Sequence, residues 1–155
     1  MINPYEEITK FLKANRVSYK ETEHERVYTS EQAAKVRGIS MSQAAKSLLL
    51  KSGDDFVLAV LPGNRKLSTK KLRNLLKAKD LHFATPEEVK SIMGCEIGAC
   101  YPFGNLIGVP VYVDISVSKN SSIFTNPGVH NRTMEIRWRD FYSLVKPKLV
   151  DISEK

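Results

Sequence analysis

Two apolar runs, 46–51 (KSLLLK) and 56–61 (FVLAVL), are joined by only four residues, Ser52-Gly53-Asp54-Asp55. Gly and Asp supply turn chemistry, and each run has the length of a strand, so the pair predicts a β-hairpin. A lone hairpin is marginal in water, so other elements must cover its apolar residues. One residue sits oddly in it. Side chains alternate between the two faces of a strand, which places Lys46 with Leu48 and Leu50, and Ser47 with Leu49 and Lys51. An ammonium therefore shares a face with two leucines.

The covering elements are marked by their caps. Asn3-Pro4-Tyr5-Glu6 starts a helix that continues through Ile8 and Leu12. Residues 17–19 read as a short strand. Thr29-Ser30-Glu31-Gln32 opens a second helix through Ala33, Ala34 and Val36, ended by Gly38. Ser68 opens a third through Leu72, Leu75 and Leu76. Thr85-Pro86-Glu87-Glu88 opens a fourth, with Val89, Ile92 and Met93 as its apolar stripe and Gly94 as its stop. Segments 109–114, 122–125 and 133–138 read as strands, 140–145 as a short helix and 146–155 as a loose tail. Strands and helices mix without a strict βαβ rhythm. The expected fold is α+β: one compact domain over 1–155, core about 30–145, with a mixed central sheet wrapped by helices.

Bulk properties narrow the function. With 155 residues and 42% apolar content the chain can build a real core. No apolar run approaches the roughly 20 residues of a membrane span. The start, MINPYEEITKF, lacks a secretory layout, so a cytoplasmic protein without a membrane partner is expected. Cys95 and Cys100 do not make a disulfide framework. A formal charge of +7, from 24 basic and 17 acidic side chains, favours polyanionic partners.

Several stretches could carry chemistry. Lys66, Lys70, Arg73 and Lys77 recur at spacings of four, three and four, which stacks them on one helix face opposite Leu72, Leu75 and Leu76. That is the pattern of a solvated face, and also of a phosphate-binding ridge, since each neutralised phosphate adds affinity. Segment 94–105, GCEIGACYPFGN, holds three glycines, a proline and two aromatics that fit neither helical nor strand periodicity. It could be a packed connection, or a loop offering bare backbone N–H groups to an anion or oxyanion. Two thiols without a nearby Cys or His leave a metal site incomplete, and a catalytic thiol lacks a basic partner. Tyr112 and Asp114 share one strand face, with Asp114 either closing a turn with Ser116 or serving chemistry. Asn126-Pro127-Gly128-Val129-His130-Asn131 is a turn carrying one of three histidines. There is no phosphate loop of Walker type, no dinucleotide fingerprint and no serine-hydrolase order.

In combination these stretches resemble the YbaK/ProX family of aminoacyl-tRNA deacylases, the editing domain also inserted in bacterial prolyl-tRNA synthetases. The likeness runs from about Ser30 to Val145. It rests on Lys46 opening an apolar strand, on a hairpin ending Ala59-Val60-Leu61-Pro62-Gly63-Asn64, and on Gly98-Ala99-Cys100-Tyr101-Pro102-Phe103-Gly104, which fits the family's Gly-x-x-x-Pro loop. Val113-Asp114 and Gly128 fall where the family carries a strand-end Asp and a late glycine. Three departures stand out: Ser47 where many members have Thr, Cys100 and Tyr101 where small or apolar residues are common, and Asn126-Pro127-Gly128-Val129-His130 in place of a simpler Ser-Ala-Gly.

The resemblance implies an enzyme that hydrolyses the ester of mischarged tRNA in trans, serving translation fidelity. The substrate would be tRNA for proline carrying Cys, Ala or another small amino acid. It implies no cofactor and no metal. Lys46 then faces a cleft open to water, orienting the substrate carbonyl or terminal ribose-phosphate, which removes the cost of an unpaired buried ammonium. Asp114 would orient Lys46 or a water. Gly98, Ala99, Pro102, Phe103, Gly104, Gly128 and His130 would form the amino-acid pocket, and Lys66, Lys70, Arg73 and Lys77 would bind the acceptor end of the tRNA. An aminoacyl-tRNA synthetase is a possible partner. The alternatives are an RNA-binding module without turnover and a small-molecule ester hydrolase using the same pocket.

Overall fold

The computed structural model describes residues 3–154. The hairpin is its centre. Strand β2 (Ala45–Ser52) pairs antiparallel with β3 (Asp55–Pro62) in the register Lys46↔Leu61, Leu48↔Ala59 and Leu50↔Val57. Five strands make one mixed sheet in the order β4 (His82–Phe83), β2, β3, β5 (Val111–Asp114), β8 (Lys148–Val150), with β3, β5 and β8 parallel. A second antiparallel sheet of three strands runs in the order β1 (Tyr19–Glu23), β7 (Arg132–Arg137), β6 (Ser122–Thr125). The expected single sheet is thus a mixed sheet plus a smaller one, within the same α+β class.

The alternation of β2 and β3 divides the core in two. Ala45, Leu49, Leu58 and Val60 face a larger cluster that includes Ile8 and Leu12 of α1 (Pro4–Ala14), Val89 and Met93 of α4 (Pro86–Met93), and Phe141 of α5 (Trp138–Val145). Leu50, Val57, Ala59 and Leu61 face a smaller cluster under Leu72 of α3 (Thr69–Leu76), with Leu48 packed against it. Lys46 takes its place on that second face by strand parity. Leu76 joins this packing, whereas Leu75 is half exposed and does not belong to the buried side expected of it.

The caps form as their residues dictate. Asn3, Thr29, Ser68 and Thr85 each accept a hydrogen bond from a backbone N–H in the first turn of α1, α2 (Ser30–Arg37), α3 and α4. Gly38 and Gly94 end α2 and α4 in the left-handed conformation. The Tyr5 hydroxyl donates to Glu21, which also binds Arg132 at 2.7 Å, fastening α1 to the smaller sheet.

Residues 146–155 are not a loose tail over their described part. β8 pairs with β5, Ile152 is fully buried, and Ser68 N–H donates to the Ile152 carbonyl at 2.7 Å. The sequence hides this because Lys148-Leu149-Val150 is too short to show a period.

Candidate active site

β3 pairs with β2 along its whole length, but β4 reaches β2 only at Leu50 and Lys51, with Ala84 N–H donating to the Leu49 carbonyl at 3.0 Å. Antiparallel strands alternate the direction of their backbone groups. Leu49 points its carbonyl away from β3, so Ser47 points its own N–H and carbonyl the same way, beyond the end of β4. A cavity of about 260 Å³ opens along this uncovered edge. It is a little below the roughly 300–1,000 Å³ usual for drug-sized ligands. An amino acid is the right scale; a nucleotide is not.

Residues 44–49 form one wall, with Ala84 and Val89 beside them. Gly98, Cys100 and Asn126 form a second wall, and Val27, Tyr28 and Thr29 a third. Most of the lining is apolar. Lys46 is its only charged member among the described residues.

Lys46 is half-buried, and its pKa is pushed below the ordinary lysine value, first by burial and then by the Lys66 ammonium. No carboxylate among the described residues lies within ion-pair distance of it. A cation at the border of an apolar cavity, with a second cation as its electrostatic neighbour, favours an anion or a carbonyl oxygen on which charge develops.

The Gly-x-x-x-Pro segment splits between cavity and core. Gly98 has φ +94°, and a Cβ there would sit 3.2 Å from the Tyr28 carbonyl and 3.5 Å from His130 Cε1. Only glycine fits comfortably in that conformation and space. The Asn126 side chain donates Nδ2–H to the Gly98 carbonyl at 3.0 Å and ties the second wall together. Ala99, Pro102, Phe103 and Gly104 are buried instead, Phe103 meeting Phe11 and Phe141 edge to face. At Gly104 a Cβ would lie 2.2 Å from the Val109 carbonyl, so its glycine serves packing. Gly128 likewise lies against Pro4, away from the cavity lining.

His130 is buried behind Tyr28, the two rings 4.5 Å apart. Its Nδ1 lies 3.0 Å from the Val27 carbonyl, which can only accept, so Nδ1 carries the proton. Nε2 is 3.5 Å from Glu96, too long for a good hydrogen bond. His130 supports the third wall without lining it. Cys95 and Cys100 are buried with their thiols hydrogen-bonded to each other; that bond and burial push the Cys95 pKa up. No group of three metal-ligating side chains occurs among the described residues.

Asp114 is not brought to this cavity. Its Oδ1 accepts from the backbone N–H of Ile152 and Ser153 at 2.9 and 3.0 Å, and its Oδ2 accepts from Ser116. The partnership with Lys46 expected from sequence gives way to fastening of the C-terminal segment. Lys66, Lys70, Arg73 and Lys77 are exposed and make no ion pair among the described residues, and none lines the cavity. Lys66 alone comes close enough to influence Lys46. Sequence reasoning missed Tyr28, Phe83 and Ile97 at the cavity mouth. Their one signal was large apolar side chains outside any periodic segment.

Residues 24–144 match the family model of the aminoacyl-tRNA editing domain. The chain belongs to that family. It is 37% identical over 109 residues to the Bacillus subtilis protein YwhH, covering 70% of this chain and 69% of that one. It is 36% identical over 91 residues to the proline–tRNA ligase of Caldicellulosiruptor bescii, covering 59% of this chain but only 16% of the ligase. Among solved structures, a proposed trans-editing enzyme for prolyl tRNA synthetase superposes with a TM-score of 0.87 at 22% identity, over 100% of this chain and 99% of the other. Protein APE2540 superposes with a TM-score of 0.87 at 20% identity, over 95% and 99% of the two chains. No helix among the described residues is long and apolar enough to cross a membrane.

Proposed function

We propose that this editing domain acts in trans, hydrolysing the ester of tRNA for proline that carries a small amino acid such as alanine or cysteine. One observation carries the reading: Lys46, half-buried and without an ion-pair partner among the described residues, is a lining residue of an apolar cavity of about 260 Å³. The aminoacyl side chain enters between β2, Val89 and Cys100, where aliphatic walls favour a small apolar group. The ester carbonyl comes to rest near Lys46 and the Ser47 N–H, which points away from β3.

A water oxygen adds to the carbonyl carbon, and the developing oxyanion is stabilised by the Lys46 charge and by backbone donors already in place. The carbon–oxygen bond to the ribose then breaks. The ribose oxygen takes a proton, and the free amino acid leaves as a carboxylic acid. An aminoacyl ester is reactive enough that positioning and charge stabilisation suffice, with no protein nucleophile. Lys66, Lys70, Arg73 and Lys77 add phosphate contacts along the acceptor end. The similarity to a segment of a proline–tRNA ligase supports tRNA for proline and makes that synthetase a candidate partner.

The test is deacylation of tRNA for proline charged separately with alanine, cysteine, serine and proline, with Lys46→Ala alongside. Loss of one mischarged species, sparing of prolyl-tRNA and failure of the variant is the expected result. Survival of every ester at the buffer rate sinks the proposal.

A further inference from the structure

Two thiols stand on the turn that follows α4, and the proposed deacylation uses neither as a reactant. Cys95 and Cys100 are the only cysteines in the chain; both are buried, and a hydrogen bond joins their sulfurs. The turn that carries them is fastened to itself. The Tyr101 hydroxyl donates to the Met93 carbonyl at 2.7 Å and closes its base, while the Ala99 N–H donates to the Glu96 carbonyl at 3.0 Å. From outside, the Asn126 side chain holds the Gly98 carbonyl at 3.0 Å. The two thiols are thus held together before any reactant arrives.

They are not equivalent. Cys100 lines the cavity, where Lys46 is the only charged side chain among the described residues, and Cys95 does not line it. Cys100 also collects donors. The Cys95 S–H comes first, then the backbone N–H groups of Gly98 and of Cys100 itself, and together they outweigh burial and lower its pKa. Cys95 is pushed the other way, by that same hydrogen bond and then by burial. The thiolate is the nucleophilic form of a cysteine. Here hydrogen-bond donors favour it at Cys100 without a basic side chain, and the cavity gives a small reactant a path to it.

We propose that Cys100 and Cys95 form a peroxide-reactive dithiol, with Cys100 as the thiol oxidised first and Cys95 as its resolving partner. The Cys100 thiolate attacks one oxygen of hydrogen peroxide and the O–O bond breaks. The other oxygen leaves as hydroxide and takes up the proton that the thiol released, giving water. Sulfur has lost two electrons and is now a sulfenic acid. A neutral sulfenic acid no longer holds the Cys95 S–H as the thiolate did. Cys95 gives up that proton and attacks the oxidised sulfur; the S–S bond forms as the S–O bond breaks, and the departing hydroxide takes the proton as a second water. Hydrogen-bonded sulfurs sit farther apart than the roughly 2 Å of a disulfide, so closure draws Cys100 out of its place in the cavity wall. The expected loss of deacylation on closure rests on the reaction proposed for Lys46.

The test treats the full-length protein with hydrogen peroxide and maps its peptides without reduction. Both cysteines fall in one tryptic peptide, residues 91–119, so a disulfide within the chain makes that peptide lighter by two hydrogens. That product, reversed by dithiothreitol, is the expected result. Cys95→Ser should stop at a Cys100 sulfenic acid that dimedone captures, and Cys100→Ser should leave Cys95 unoxidised, with melting curves showing that each variant is folded. The wild-type map decides the matter even where a variant does not fold. Untouched thiols, a disulfide between two chains, oxygen added to sulfur with no disulfide, or dimedone captured at Cys95 first overturns the dithiol. Deacylation of mischarged tRNA is measured separately. The disulfide form should be slower by roughly tenfold or more and recover with dithiothreitol, because a displaced wall misplaces the ester. An unchanged rate overturns the link between the pair and the cavity. A protein that deacylates but never closes the disulfide fails this inference alone, and one that closes it but never deacylates fails the proposed reaction alone.

Discussion

The Asp114 carboxylate holds the backbone of Ile152, accepting its N–H at 2.9 Å across 38 residues of chain. Burial alone would raise the Asp114 pKa, but hydrogen bonds from Ser116, Ile152 and Ser153 outweigh it, and the value lies below that of an ordinary aspartate. A depressed carboxylate stabilises the fold above the unfolded pKa of about 3.9, and that stability is lost as pH falls through the lower folded value. Asp114→Ala leaves two buried N–H groups without an acceptor, at a cost of roughly 1–3 kcal/mol each. Thermal unfolding at pH 7 should show the loss, and the gap between variant and wild type should shrink in acid. Asp114→Asn retains one acceptor oxygen and should deacylate at the wild-type rate per folded molecule. A collapse of turnover in Asp114→Asn at full stability would return Asp114 to the chemistry.

Lys46 titrates in the opposite sense. Its lowered pKa means that the folded state gives up the lysine proton before the unfolded state does. The unfolded chain therefore binds more protons between the two values, and the Lys46 contribution to stability improves as pH rises through that window. Catalysis should run the other way, because the stabilising charge disappears as the ammonium deprotonates. The enzymatic part of deacylation, after subtraction of the buffer rate, is expected to fall at alkaline pH with a midpoint below the usual lysine pKa of about 10.4. Lys46→Arg should push the decline to higher pH if it turns over at all. A wild-type profile with no alkaline limb below that midpoint would remove Lys46 from the charge-stabilising role.

Glu88 gives an independent check on the electrostatics. Its carboxylate pairs with Lys51 at 2.8 Å and closes the α4 capping box with the Thr85 N–H at 2.9 Å, and its pKa is pulled down to about 2. The Lys51 hydrogen bond is the larger cause, followed by Thr85. Carbon-detected NMR titration should find the Glu88 midpoint well below that of other glutamates. Lys51→Met should move it upward while leaving the Thr85 contribution.

The elements legible in the sequence were those with local signals. The hairpin and the Ser68 and Thr85 caps announce themselves within ten residues, because turn and cap chemistry is local. What could not be read depends on distant chain. β4 is two residues long, and β8 exists because β5 and Asp114 offer it partners. The same limit applied at the site. Lys46 and Gly98 stand out as oddities of type and place, whereas Tyr28, Phe83 and Ile97 acquire meaning only when three segments converge. Phe103 and Gly104 looked functional by composition but are held by core packing.

Gly98 ties the site to its backbone. An alanine would have to hold φ near +94° with its Cβ 3.2 Å from the Tyr28 carbonyl. Left-handed strain of this kind costs roughly 1–3 kcal/mol, so Gly98→Ala should lower the melting temperature measurably. The contact must be relieved by moving either the 96–100 turn or Tyr28, and both border the cavity, so the cavity changes shape as well. Deacylation should fall more steeply than stability, with KM rising as the carbonyl loses its position. Gly104→Ala is the control. It meets the Val109 carbonyl at 2.2 Å inside the core, so it should damage stability at least as much. The molecules that do fold should keep a KM near the wild-type value. Equal effects of the two variants on KM would mean that the segment acts as one packed unit, with no separate contribution from its cavity-facing end.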